Sequence, residues 1–170
     1  AIEMLGDKIR AKKLAKLSGV PTAPGSDGQL ADADAAVKLA TEIGFPVLLK
    51  ASAGGGGRGM RVSHNDASLR ANFIQAKNEA AAAFGDGSRY MEKFIESARH
   101  IEVQILGDEF GNVVHLGERD CSIQRRYQKL VEESPCTAPG FDKRTRYDLQ
   151  MAAVKLMKAT KYTNAGTVEF

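Results

Sequence analysis

Two stretches of this 170-residue sequence combine residue types and spacings suited to chemistry. The first runs from Lys50 through Gly54, Gly55, Gly56, Gly57, Arg58 and Gly59. Consecutive glycines let a backbone take positive φ and approach a ligand closely. Successive N–H groups can then cradle phosphate oxygens, with Lys50 and Arg58 as neutralising cations. The spacing is neither a P-loop, which needs GK[ST] opening a helix, nor a GxGxxG fingerprint. A plain turn between strands would explain the glycines alone; the flanking cations favour a phosphate.

The second stretch is ERDCSIQRRYQK, residues 118–129, with Ile123 as its one strongly apolar side chain. It reads as a solvated face or a polar site, and composition alone favours the solvated face. Arg119, Arg125, Arg126 and Lys129 could hold a carboxylate or phosphate. Cys121 lies among arginines that could lower its pKa, but no histidine is near in sequence to serve as its base, which argues against a catalytic thiol. A magnesium nucleotide would also need a carboxylate. Glu169, between Val168 and Phe170, points away from the core side of an alternating strand, either as an ordinary surface glutamate or as such a ligand. His64, His100 and His115 read as surface or structural residues.

These residues need elements to position them. Apolar spacing predicts a helix over 3–18 ending at Gly19, a Pro/Gly connector over 21–30, and a helix over 32–43 closed by Gly44. FPVLLKA (45–51) reads as a strand, followed by a short strand at 60–63, a helix over 66–84 and a strand over 90–95. Residues 100–106 and 113–118 alternate as a hairpin around the turn 108–112. Leu130 and Val131 seed a further strand, 143–160 is an amphipathic helix, and a final strand starts near Ala165. The pattern is α+β, with one small unit over about 24–95.

Composition narrows the class. There are 24 Lys+Arg against 21 Asp+Glu, a net charge of +3, short of the basic stripe typical of a nucleic-acid binder. Cys121 and Cys136 cannot build a disulfide framework and suggest a reducing compartment. No CxxC or HxxxH occurs, no apolar run nears the ~20 residues of a membrane span, and the charged start does not read as a signal peptide. A first residue other than Met and the alternating end Gly166–Phe170 suggest a piece of something longer.

MLGDK (4–8), VPTAPG (20–25), FPVLLKASAGGGGRGMRV (45–62), YMEKFIESARHIEVQILGD (90–108), ERDCSIQRRYQKLVEESP (118–135) and AGTVEF (165–170) resemble the biotin carboxylase component of biotin-dependent carboxylases. The glycine run alone would fit carbamoyl-phosphate synthetases and other ATP-grasp ligases; RHIEVQ and ERDCSIQRR are more specific. The resemblance implies an ATP-grasp fold, with a leading helix and connector (1–23), a lid subdomain (24–95) and the beginning of the larger sheet subdomain (96–170). It implies that Lys8, Lys50, Gly56, Gly57 and Arg58 meet ATP phosphates. Glu92, Lys93, Phe94 and Ile95 would form the adenine hinge. His100, Gln124 and Tyr127 would lie by the nucleotide, Lys129 would contact bicarbonate, and Glu169 would hold Mg²⁺, or Mn²⁺ in its place.

The implied chemistry is carboxylation of biotin from Mg-ATP and bicarbonate. The implied partners are a biotin carrier domain, a carboxyltransferase and a second copy in a homodimer, with no nucleic acid or membrane. The implied location is the cytoplasm, or the mitochondrial matrix in a eukaryote. Tyr127 stands where the family usually has histidine, which puts a proton-carrying role there in doubt, and Ala53 replaces a common first glycine. Other catalytic groups of the family fall beyond residue 170, so the isolated chain is expected to be inert. Its helix 149–157 and its hairpin are expected to leave apolar surface uncovered. The alternatives are another ATP-grasp ligase and a non-catalytic nucleotide-binding module.

Overall fold

The computed structural model describes residues 7–52 and 59–170. Its elements are α1 (Lys8–Leu17), α2 (Ala33–Ile43), β1 (Val47–Ala51), β2 (Arg61–Ser63), α3 (Asp66–Phe84), β3 (Arg89–Lys93), β4 (Ile101–Gly107), β5 (Val113–Arg125), β6 (Gln128–Glu133), α4 (Lys143–Ala159) and β7 (Asn164–Glu169). The chain divides into two units, one built on Thr22–Glu96 with the start of α1, the other on Leu14–Pro21 and Ser97–Phe170.

In the first unit β1 is the centre of a three-stranded antiparallel sheet, order β2-β1-β3. A central strand is screened by both neighbours, so its sequence is nearly all apolar. Val47 and Leu49 are fully buried beside Ala36 and Ala40 of α2, Leu69 and Phe73 of α3, and Met91 of β3. Alanines four apart leave α2 a smooth face. Asp32 caps its N-terminus by accepting from Ala35 N, and Gly44, at φ +81°, ends it. A capping box between Asn65 and Ser68 starts α3, and left-handed Gly85 stops it.

The second unit is a four-stranded antiparallel sheet, order β6-β5-β4-β7, with α4 on one face. Val103, Ile105, Val113 and Val168 pack on Ala153, Val154, Leu156 and Met157, with Ala15 and Val20 closing the cluster. The expectation of uncovered apolar surface on 149–157 is corrected for those four α4 side chains, which are buried, and agrees with Met151, which is exposed. On the hairpin the expectation agrees with Leu106, Val114 and Leu116, which are exposed.

The strand β5 departs most from the sequence reading. It runs to Arg125 rather than ending at 118. Val103 pairs with Glu118 while Ile105 pairs with His115, so β5 carries one extra residue between them. Gly117, at φ +94°, lies in this bulge. A bulge reverses the side-chain alternation. Beyond it Glu118 and Asp120 point to the α4 side, where Glu118 meets α4, while Arg119 and Cys121 point to the opposite face with Glu102. The solvated-face reading fails for the first part of this segment, where Glu118, Asp120 and Cys121 are buried, and holds for the second, where Ile123, Arg125, Arg126, Tyr127 and Gln128 are exposed.

Candidate functional site

In the first unit, strand alternation places Lys50, Tyr90 and Glu92 on the sheet face away from α2 and α3. Lys50 Nζ donates to Glu92 Oε2 at 2.5 Å and lies 6.0 Å from the centre of the Tyr90 ring. Lys12, from α1, donates to Glu92 Oε1 at 3.1 Å. Burial pushes the Glu92 carboxyl up, but Lys50 and Lys12 together outweigh it and hold its pKa below the usual range. Burial, then the charges of Glu92 and Asp7, drive the Tyr90 phenol well above its ordinary range.

Glu92 is brought to this place by backbone as well as charge. Gly25 bridges to Glu92, and Ser26 N donates to Met91 O at 2.8 Å. A side chain at 25 would drive its Cβ into Met91 O and to 2.9 Å from the Glu92 Cα. Backbone atoms cannot turn aside as a flexible side chain can. Gly25→Ala should therefore cost about 2–3 kcal/mol of stability, read from urea unfolding. An unchanged midpoint would show that the segment shifts freely.

Lys93 N donates to Pro24 O at 2.8 Å and its Nζ reaches the carbonyls of Gly44 and Phe45. Phe94 N donates to Pro46 O at 3.0 Å, and Ile95 is exposed. Lys8 opens α1. Gly56, Gly57 and Arg58 lie outside the described residues.

In the second unit a charged cluster forms on the sheet face opposite α4. Glu102, only 3 % exposed, is its centre. Arg119 Nε donates to Glu102 Oε1 at 2.7 Å, and the Lys129 ammonium bonds Oε2. Lys129 also donates to Glu169 Oε1 at 2.8 Å, and His100 Nε2 lies 3.5 Å from the same oxygen. Burial opposes ionisation of Glu102, but the bonds from Lys129 and Arg119 hold its pKa below the usual range. For Lys129 burial likewise works against the charge, and Glu102 and Glu169 reverse it, keeping the ammonium charged well above its ordinary range.

Donor atoms of His100, Glu102 and Glu169 lie within 4.8 Å of one another. Hard carboxylate oxygens suit Mg²⁺, which takes one or two carboxylates and fills its shell with phosphate and water. Glu102 is bonded to two cations through both oxygens, whereas the contacts of Glu169 with Lys129 and His100 both fall on Oε1.

The structure brings Lys129, His100 and Glu169 together, residues to which the sequence reading gave three separate roles, and it adds Glu102 and Lys12, which that reading missed. The missed signal for Glu102 was a lone acid alternating with Ile101 and Val103 in a strand. For Lys12 there was none, since it is one of several lysines on a charged helix. Gln124 turns back to donate to Cys121 O at 2.8 Å. Tyr127 is exposed in the two-residue turn between β5 and β6, where Arg126 and Tyr127 both have positive φ. The expectation of a thiolate-favouring Cys121 is overturned. Burial first, then Glu102 and Glu132, push its pKa up against Lys129 and Arg119.

The opposite side of β5 fastens the cluster to the core. Glu118 accepts from Arg146 at 2.7 Å and Gln150 at 2.6 Å, both on α4, and Asp120 accepts from Ser122 and Arg99.

Residues 7–170 match the family model described as "Carbamoyl-phosphate synthase L chain, ATP binding domain". The propionyl-CoA carboxylase alpha chain of Ruegeria pomeroyi is 54% identical over 170 residues, covering 100% of this chain and 25% of that protein. A crystal structure of a biotin carboxylase–β,γ-ATP complex from Campylobacter jejuni matches with a TM-score of 0.95 at 57% identity, over 99% of this chain and 37% of that one. The biotin carboxylase domain dimer of the 2-oxoglutarate carboxylase of Hydrogenobacter thermophilus, with MgADP, ADP and bicarbonate, matches at TM-score 0.92 and 54% identity, over 99% and 37%. The chain thus spans well under half the length of each of these relatives. No described helix is long and apolar enough to cross a membrane.

Proposed function

Because the chain belongs to the family of the carbamoyl-phosphate synthase L chain, ATP-binding domain, and is more than half identical to biotin carboxylases along its length, we propose that it is the central part of a biotin carboxylase. The whole protein would use ATP and bicarbonate to carboxylate biotin. Residues 24–95 would serve as the lid of the ATP-grasp fold and 96–170 as the start of the larger subdomain. The observation that carries this reading is the Lys129 ammonium, fixed by Glu102 and Glu169. A preorganised cation beside a metal-capable carboxylate suits bicarbonate attack on a phosphate.

In this reading Lys50, with Lys8 and the glycine-rich segment, takes the phosphates. The hinge at 93–95 reads the base. Since Pro24 already takes the Lys93 N–H, the Lys93 carbonyl and the Ile95 N–H are the groups offered to adenine. Lys129 orients bicarbonate so that its oxygen attacks the γ-phosphorus as ADP leaves, giving carboxyphosphate. That breaks down to phosphate and CO₂, which N1 of biotin captures. Positioning and charge neutralisation dominate such a transfer. Bound Mg²⁺, held in part by Glu169, would neutralise phosphate charge. His100, Gln124 and Tyr127 would line the nucleotide. The carrier domain, the carboxyltransferase and a second copy are the partners this reading implies. Two buried free thiols support a reducing compartment, the cytoplasm or mitochondrial matrix.

The test is ADP release by the full-length protein. Release dependent on both bicarbonate and free biotin is the expected result. Release that ignores biotin but yields carbamoyl phosphate with ammonia would replace this reading with that of a carbamoyl-phosphate synthetase. The 170-residue chain alone is expected to bind nucleotide without turnover.

A further inference from the structure

The triad of Lys12, Glu92 and Lys50 holds one cation more than its charge balance needs. All three are largely withdrawn from water, with side chains 10 %, 15 % and 25 % exposed. Gathering two ammonium groups on one carboxylate costs desolvation and mutual repulsion. Neutralising Glu92 needs only one of them. The two lysines also differ in setting. Lys12 is the more enclosed, with its Nζ 3.0 Å from where a Cβ at Gly25 would stand. Lys50 is the more exposed, and its strand leads into the glycine-rich segment.

We propose that Lys12 is a positioning residue, the standing counter-ion that keeps Glu92 ionised when Lys50 leaves it for a nucleotide phosphate. The inference rests on the nucleotide role of Lys50 given above. Lys50 cannot serve Glu92 at 2.5 Å and a phosphate with full strength at once. If it turned away with no second cation present, a buried carboxylate would be stranded and would take up a proton. Among the described residues, Lys50 and Lys12 act on Glu92, and Tyr90 faces it, with Asp7 adding its charge on Tyr90. Of these only Lys12 can supply the positive charge once Lys50 has gone.

The sign of the pH effect follows. Without Lys12, binding of nucleotide raises the Glu92 pKa, so binding takes up a proton and weakens as pH rises. ATP affinity is measured in the full-length protein from about pH 6 to about pH 8, with heats recorded in two buffers of different ionisation enthalpy. Relative to wild type, Lys12→Met should bind ATP about tenfold more weakly at the upper pH, with the deficit shrinking toward the lower pH and extra proton uptake on binding. In a Glu92→Gln background, Lys12→Met should add no pH-dependent deficit. Lys12→Gln, which keeps a hydrogen bond but no charge, is read the same way if the methionine variant does not fold. Wild-type affinity in both Lys12 variants, or a loss equal at every pH without proton uptake, overturns the inference. A wild-type protein that binds no ATP overturns the nucleotide reading as well.

Discussion

Glu102→Ala should lower the free energy of unfolding by about 3 kcal/mol, the low end of the cost of breaking a buried ion pair. The carboxylate is nearly inaccessible and holds two cations on the sheet face that carries the candidate chemistry. Without it, Arg119 and Lys129 face each other over a void. The cost stays at the low end because both cations are about a quarter exposed and keep second partners, Glu132 at 3.5 Å and Glu169 at 2.8 Å. Urea unfolding at neutral pH measures the difference, and a loss below 1 kcal/mol would mean the cluster is a solvated network of small worth.

The same carboxylate sets a pH signature. Its folded pKa lies below the unfolded value of 4.5. It therefore contributes stability above the unfolded pKa and loses it as pH falls through the folded one. Glu92, Glu118 and Asp120 are depressed in the same way. Wild-type stability should fall steeply in acid, and the alanine variant should show a shallower acid limb.

Lys129→Met should reduce bicarbonate-dependent turnover of the full-length protein by about 10²–10³-fold, the loss typical of a preorganised charge donor. Its effect on ATP affinity should be small, because in the proposed reading Lys129 serves bicarbonate. The group stays charged through neutral and moderately alkaline pH, since Glu102 and Glu169 outweigh its burial. An alkaline decline of wild-type activity near pH 9 would therefore arise elsewhere, and Lys129→Arg should leave such a limb in place. Arginine would restore charge without the compact donor geometry, so its rescue should be partial. A methionine variant that keeps full turnover would remove Lys129 from the chemistry.

The sequence reading succeeded where one physical rule operates alone. The helices over 32–43 and 66–84 were legible because a capping side chain and a terminal glycine bracket each one. The strand at 45–51 was legible as an apolar run of the right length. Residues 118–121 were misread because their polarity looked like solvation. Their acids are buried and paired with partners distant in sequence: Arg146 lies 28 residues from Glu118, and Arg99 lies 21 from Asp120. Composition has no access to such pairing. The Cys121 thiol failed for the same reason, because arginines near it in sequence count for less than burial and the carboxylates folded against it.

The bulge at Gly117 has a consequence for how this chain can change length over evolution. By adding one residue it exchanges the two faces of the residues just downstream in β5, so that Glu118 and Asp120 fall on the side of α4 and Arg119 on that of Glu102. Deleting that residue would swap the sets, sending Arg119 toward the α4 core and Glu118 toward the open face. Lineages should therefore gain and lose residues in the exposed turn around Gly111, which lies outside this phase relation. The stretch from 113 to 122 should hold a fixed count even where its side chains diverge. Counting residues across related chains, without reading their identities, is enough to test that.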